Sequence, residues 1–248
     1  MVRFRFAALA VSAGLAALTL GTVPARAAMD DTQRQAVEQV VRDYLLKHPE
    51  VIVEAIDELQ KREKVAEEAR NRDALASSRA ALENNPADPV LGNPAGDVTL
   101  VEFFDYQCGY CKAVQADVQK LIKDDTKLRV VFKEFPILGP ASVTAAKAAL
   151  ASRGQGKYEA FHNALMAHRG QLDDDTIQRL AKSVGLDTDK LKKDMDSPEV
   201  QQVIGGNLAL AQALGIRGTP AFIVGDDMAP GAIKLNDMKA MVAKARKG

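Results

Sequence analysis

Two cysteines, three positions apart, stand where a strand-like run gives way to a helix-like one, and no other cysteine occurs in the 248 residues. Val98 to Tyr106 (VTLVEFFDY) is rich in β-branched and aromatic residues and reads as a buried strand. Cys108-Gly109-Tyr110-Cys111 follows at once, and Lys112 to Lys123 puts Val114, Val118, Leu121 and Ile122 on one helical face. A bridge across so short a loop restricts the unfolded chain least and adds little stability. The pair is therefore better explained by reactivity than by stapling. Unpaired N–H groups and the dipole at a helix N-terminus favour negative charge, and the thiolate is the nucleophilic form of cysteine. Cys108, at the tip, is expected to be an exposed nucleophile with a depressed pKa. Cys111, one turn inside, is expected to be buried and to resolve mixed disulfides. Their offset brings both sulfurs within reach of a reversible Cys108–Cys111 disulfide.

A metal is a weaker use of the pair. Structural zinc takes four ligands; there is no second cysteine pair, and His48, His162 and His168 lie far off in sequence. We expect neither a metal nor a cofactor.

The N-terminus reads as an export signal over residues 1–27. Arg3 and Arg5 precede an apolar run from Ala7 to Leu20, and Ala25-Arg26-Ala27 suits cleavage before Ala28. The run is short of the roughly 20 apolar residues a spanning helix needs. Cleavage would lower Lys+Arg from 33 to 30 against 33 Asp+Glu. No basic block stands out, which argues against nucleic acid as a partner.

Residues 28–89 read as a helical extension. Val37, Val40, Val41, Tyr44 and Leu45 form one helical stripe; His48-Pro49 interrupts it, and Ile52, Ala55, Ile56 and Leu59 form another. A mostly charged stretch from Lys61 to Asp73 follows, and the segment ends in the turn formers Asn84 to Pro89. Such stripes pack either on the main domain or on copies of themselves. From residue 90 the order is βαβ, a long helical block at about 140–214, two strands (Ala221 to Val224, and a short one at Ala232-Ile233) and a helix from Asn236 to Lys247. That is an α/β fold with an all-helical insertion.

VEFFDYQCGYC, followed far downstream by GIRGTPAFIVG, resembles the periplasmic DsbA-like oxidoreductases over about residues 90–247. The resemblance implies a thioredoxin-like fold whose insertion is helical. It maps a cis-proline loop onto Thr219-Pro220, facing the cysteines, where an extended substrate segment can pair with Thr219. It also maps a buried acid onto Glu102, which can accept or relay the proton of Cys111. Lys133 and Glu134 are weaker candidates, since strand alternation more often points such residues to solvent.

Gly109-Tyr110 departs from the Pro-His pair of the strongest oxidases in that family and resembles the pair of DsbC-type isomerases. With the helical extension, the likeness extends to suppressor-of-copper-sensitivity C (ScsC) proteins, some of which are trimers. This implies a periplasmic disulfide isomerase acting on unfolded or misoxidised exported proteins, kept reduced by a membrane-bound reductase of the DsbD/ScsB type. A monomeric dithiol oxidase is the alternative. A Cu(I) carrier without exchange activity is a third reading, since soft thiolates favour Cu(I); no Met/His cluster supports it.

Overall fold

The computed structural model describes residues 29–247. The expected signal segment, 1–27, lies outside the described residues. These fall into two compact units, one ending at Gln60 and the other beginning at Lys61. Among the described residues no helix is long and apolar enough to cross a membrane.

The first unit holds α1 (Asp31–Lys47) and the start of α2 (Glu50–Glu83). Asp30 caps α1 by accepting from the Gln33 N–H, and the Gln33 side chain accepts from the Asp30 N–H in return. His48 closes the helix and Pro49 separates it from α2, as the sequence predicts. No residue of α1 is buried, and Val37, Val40, Val41 and Tyr44 are exposed, as are Ile52, Ile56 and Leu59 of α2.

The second unit is built on a sheet of order β1-β3-β2-β4-β5. Its strands are β1 (Val90–Gly92), β2 (Val98–Phe104), β3 (Leu128–Glu134), β4 (Ala221–Val224) and β5 (Asp227–Pro230). β2 and β3 run parallel through the crossover helix α3 (Gly109–Asp124), and the other pairings are antiparallel. Between β3 and β4 lie α4 (Pro140–Ser152), α5 (Tyr158–Ala167), α6 (Asp174–Ser183), α7 (Thr188–Asp194) and α8 (Pro198–Ala213), matching the expected insertion; α9 (Leu235–Ala245) ends the chain.

Alternation along the central strands divides two cores. Leu100, Phe104, Val130, Phe132 and Phe222 join one formed with α3, α9 and the insertion. Val101, Phe103, Val131 and Ile223 face the other way, onto Leu75 and Leu82 of α2. This is a thioredoxin-like sandwich carrying an all-helical insertion. The short strand expected at Ala232-Ile233 is absent: the hairpin partner of β4 is β5, whose residues pair with Ala221 to Val224. β1, only three residues long, went unpredicted.

Burial also corrects the reading of Lys133 and Glu134, which are both buried rather than in solvent. β3 lies between two strands and under helices on both faces, so alternation sends neither residue to water. Lys133 forms an ion pair with Asp88, buried on both sides, and donates to the Ala81 carbonyl at 2.6 Å. On the opposite face, Glu134 accepts from the hydroxyls of Tyr106 (3.0 Å) and Tyr158 (2.9 Å).

Candidate active site

The end of β2 delivers the dithiol. Phe104 ends the strand, Asp105 to Gln107 turn, and Cys108 becomes the N-cap of α3. Its sulfur accepts the Cys111 N–H at 3.3 Å, and its carbonyl accepts the Lys112 N–H at 3.1 Å. A sulfur thus occupies the place an oxygen takes in an ordinary capping residue, in line with the positive end of the helix. Both thiols are free.

Cys108 is less open than expected: it is 5% exposed, because Thr219 lies over it, and as a thiol it donates to the Thr219 carbonyl at 3.2 Å. The Thr219–Pro220 peptide bond is cis. The thiol is pulled down to about 5. The largest cause is a hydrogen bond from the Cys111 thiol, which outweighs burial; the Thr219 side chain and the N–H groups of Cys111 and Tyr110 add to it. Cys111 is fully buried, and burial pushes its thiol far above the ordinary range, helped by its hydrogen bond to Cys108 and by the Glu102 charge. One sulfur is therefore ionised at neutral pH and its neighbour holds a proton.

Glu102 sits on β2 with Leu100 and Phe104 on the core face, fully buried, and neither of its oxygens has a hydrogen-bond partner among the described residues. Burial, then the Cys108 charge, raises its carboxyl to about 8. At neutral pH it is mostly protonated, and when ionised its charge bears on Cys111. Gly109 has open space where a side chain would begin, and Tyr110 is 71% exposed.

Several residues around the dithiol carry no local signal. Lys112 donates from Nζ to the His168 carbonyl at 2.7 Å, tying the first turn of α3 to the loop after α5. Gln115 hydrogen-bonds His162, whose other ring nitrogen meets the Tyr106 hydroxyl at 3.0 Å. Burial holds His162 near 3, hence neutral, and burial pushes the Glu134 carboxyl well above the usual carboxylate range against the two tyrosine hydroxyls that oppose it. Asp105 accepts hydrogen bonds from four donors. Each of these partners is at least 24 positions away in sequence, apart from Gln107, so spacing could not reveal them.

Comparison with known proteins follows the same lines. Residues 99–243 match the model of the DSBA-like thioredoxin domain, and residues 33–66 match that of the copper resistance protein ScsC N-terminal domain. A solved thioredoxin-like oxidoreductase from Silicibacter pomeroyi DSS-3 is 51% identical, with a TM-score of 0.68 over 68% of this chain and 98% of that one. ScsC from Proteus mirabilis, in a transitional conformation, is 32% identical, with a TM-score of 0.65 over 88% of this chain and 97% of that one. Among curated proteins, the Na(+)/H(+) antiporter NhaA 1 of Salinispora arenicola is 30% identical over 169 residues. This chain spans 26% of that antiporter's length and 66% of its own.

Proposed function

Because the chain belongs to the DsbA-like thioredoxin-domain family of thiol–disulfide oxidoreductases, we propose that it acts in the periplasm as a protein disulfide isomerase. The observation that carries the exchange chemistry is the Cys108 sulfur capping α3, held near 5 beside a protonated Cys111. At neutral pH the Cys108 thiolate attacks one sulfur of a wrong disulfide in an unfolded or misoxidised exported protein. A mixed disulfide forms and a substrate thiolate leaves. That thiolate either attacks a different substrate disulfide and eventually frees Cys108, which is isomerisation, or stays reduced while Cys111 attacks the Cys108 sulfur. In the second route the Cys111 proton passes to the ionised minority of Glu102, the second substrate sulfur leaves as a thiolate, and the protein is left as the Cys108–Cys111 disulfide. Thr219, next to cis Pro220, offers main chain beside the attacking sulfur, where an extended substrate can pair as an added strand. Gly109 keeps that approach open.

Isomerisation needs the dithiol reduced, and a membrane-bound reductase of the DsbD/ScsB type is the proposed electron donor. It also gains from several sites facing one substrate, since effective concentration rises. The apolar stripes of α1 and early α2 are exposed in the single chain and suit self-association, with a homotrimer as the proposed state. One observation favours a dithiol oxidase instead: a thiolate stabilised this far also stabilises the reduced form, which makes a couple more oxidising.

The two readings separate on refolding. Reduced protein should unscramble a substrate carrying wrong disulfides, and removal of residues 29–60 should reduce that rate while sparing simple oxidation of a reduced substrate. A protein that oxidises reduced chains but leaves scrambled ones untouched is the oxidase. Cys111→Ser should accumulate mixed disulfides through Cys108; a Cu(I) carrier without exchange activity would trap none.

A further inference from the structure

A lysine in the first turn of a helix stands at the wrong end of the dipole, because the unpaired N–H groups there already favour negative charge. Lys112 is such a residue. It follows Cys111 directly in α3, whose first turn holds no acidic side chain to offset it. It is also 9% exposed, and an ammonium taken out of water is costly unless it finds partners. Two unfavourable placements in one side chain call for something that offsets both.

One partner is main chain. Lys112 donates from Nζ to the His168 carbonyl at 2.7 Å, where α5 has just ended. That carbonyl is held in place because α5 is itself pinned to α3: Gln115 meets His162 and Asn163, and Gln119 meets Asn163. The other partner is the nucleophile. Lys112 and Cys108 are four apart, on one face, and helical side chains lean toward the N-terminus. The stem of Lys112 therefore runs back over the turn that carries Cys108. Three charged groups act on its ammonium: Arg169, next to His168 on the loop, Asp105 in the turn before α3, and Cys108. Burial and then Arg169 pull Lys112 below the ordinary lysine range, and the negative charges of Asp105 and Cys108 oppose them. Of these charges, only that of Cys108 comes and goes with the state of the dithiol.

We propose that Lys112 is a positioning residue for the exchange reaction: its ammonium, clasped by the His168 carbonyl of the insertion, is held beside Cys108 and stabilises the attacking thiolate. The inference rests on the exchange reading above and deepens it, since it gives the helical insertion a part in the reactivity of the dithiol. When Cys108 is bound in the Cys108–Cys111 disulfide its charge is gone, and the buried ammonium loses that counter-charge. The lysine therefore favours the dithiol over the disulfide. A lysine that only fastened α3 to the loop would have neither effect.

Alkylation by iodoacetamide as a function of pH reads the Cys108 thiolate, because burial keeps Cys111 protonated. In the parent protein the rate should be half-maximal at the Cys108 value of about 5. Lys112→Met keeps the length of the side chain and removes its charge, so the midpoint should rise by roughly one pH unit. The rate at about pH 5 then falls about fivefold, while at about pH 8 it stays within roughly twofold, since both proteins are fully ionised there. In equilibrium with glutathione at neutral pH, the disulfide form should gain by up to about tenfold, because the thiolate has lost its support. Lys112→Arg keeps the charge and should stay close to the parent in both measurements. An unmoved midpoint, equal slowing at every pH, or Met and Arg variants that shift alike would overturn the role and leave Lys112 a fastening residue. Should Lys112→Met fail to fold, Lys112→Gln carries the test with the same outcomes. A parent whose Cys108 titrates at about 5 but which exchanges no disulfide with a protein substrate is a separate result, and it removes the exchange reading itself.

Discussion

In the helices of residues 31–60, valine, isoleucine and tyrosine face solvent; in the strands behind the dithiol and the turns beside them, lysine, aspartate and glutamate are sealed from it. Each region inverts the ordinary rule of burial, and for different reasons. The N-terminal helices carry apolar stripes, and no residue of α1 is buried. The catalytic unit instead buries ionisable groups and gives them partners: Lys133 with Asp88 and the Ala81 carbonyl, Glu134 with two tyrosines, Asp105 with four donors. Glu102 alone of these carboxylates has no partner on either oxygen, and it is the one beside the resolving cysteine. The paired groups tie strands and helices together, and the bare carboxyl is the one we propose to take the Cys111 proton.

The largest test of that contrast removes a satisfied charge. Lys133→Met leaves Asp88 buried and unpaired, and should cost roughly 3–5 kcal/mol in denaturant unfolding. Asp88→Asn added to it should restore much of the loss, since neither charge then remains to be paired. A Lys133→Met protein as stable as its parent would mean the pair does not hold the α2 end and β3 together.

The bare acid gives a pH signature. The Glu102 carboxyl lies near 8 in the folded protein, against an ordinary 4.5. The fold therefore binds a proton that the unfolded chain has released, so its stability falls as pH rises from about 4.5 to about 8 and levels off above. Measured on the disulfide form, where Cys108 does not titrate, the decline owed to Glu102 should reach roughly 3 kcal/mol. Glu102→Gln should lack that decline, and it should also slow release of mixed disulfides by Cys111. An unchanged pH profile would place Glu102 in contact with water after all.

How much of this was legible follows from how local each signal is. Cys108 to Cys111 between an apolar strand and an amphipathic helix can be read within twenty residues, and so can Glu102 inside LVEFF, where a lone charge among apolar neighbours marks itself. The helical insertion announces itself by length and alanine content. Lys133 and Glu134 misled because alternation assumes one wet face, and β3 has none. β5 was misplaced because DMAP carries a proline and an aspartate, tolerable only on an edge strand, while Ala232-Ile233 merely looked apolar. Asp105 read as part of the strand Val98 to Tyr106, since its meaning lies in donors at Ile137, Leu138 and Ser142 that only the fold brings to it.

The smallest effect on the catalytic unit should come from the other side of the contrast. Val40→Glu with Ile56→Glu places charges in the exposed stripes of the first unit. If those stripes serve copies of this chain, sedimentation should show the assembly falling to monomer, because a buried unpaired carboxylate at each interface has nothing to offset it. The unfolding of the catalytic unit and its reactivity toward a small disulfide should change by no more than about 0.5 kcal/mol, as for ordinary surface substitutions. Unscrambling of a multiply bridged substrate should fall, since neighbouring sites no longer share it. A parent that is already monomeric, or a catalytic unit destabilised by well over 1 kcal/mol, would show that the stripes answer to their own chain, and the two regions would then obey one rule of burial rather than two.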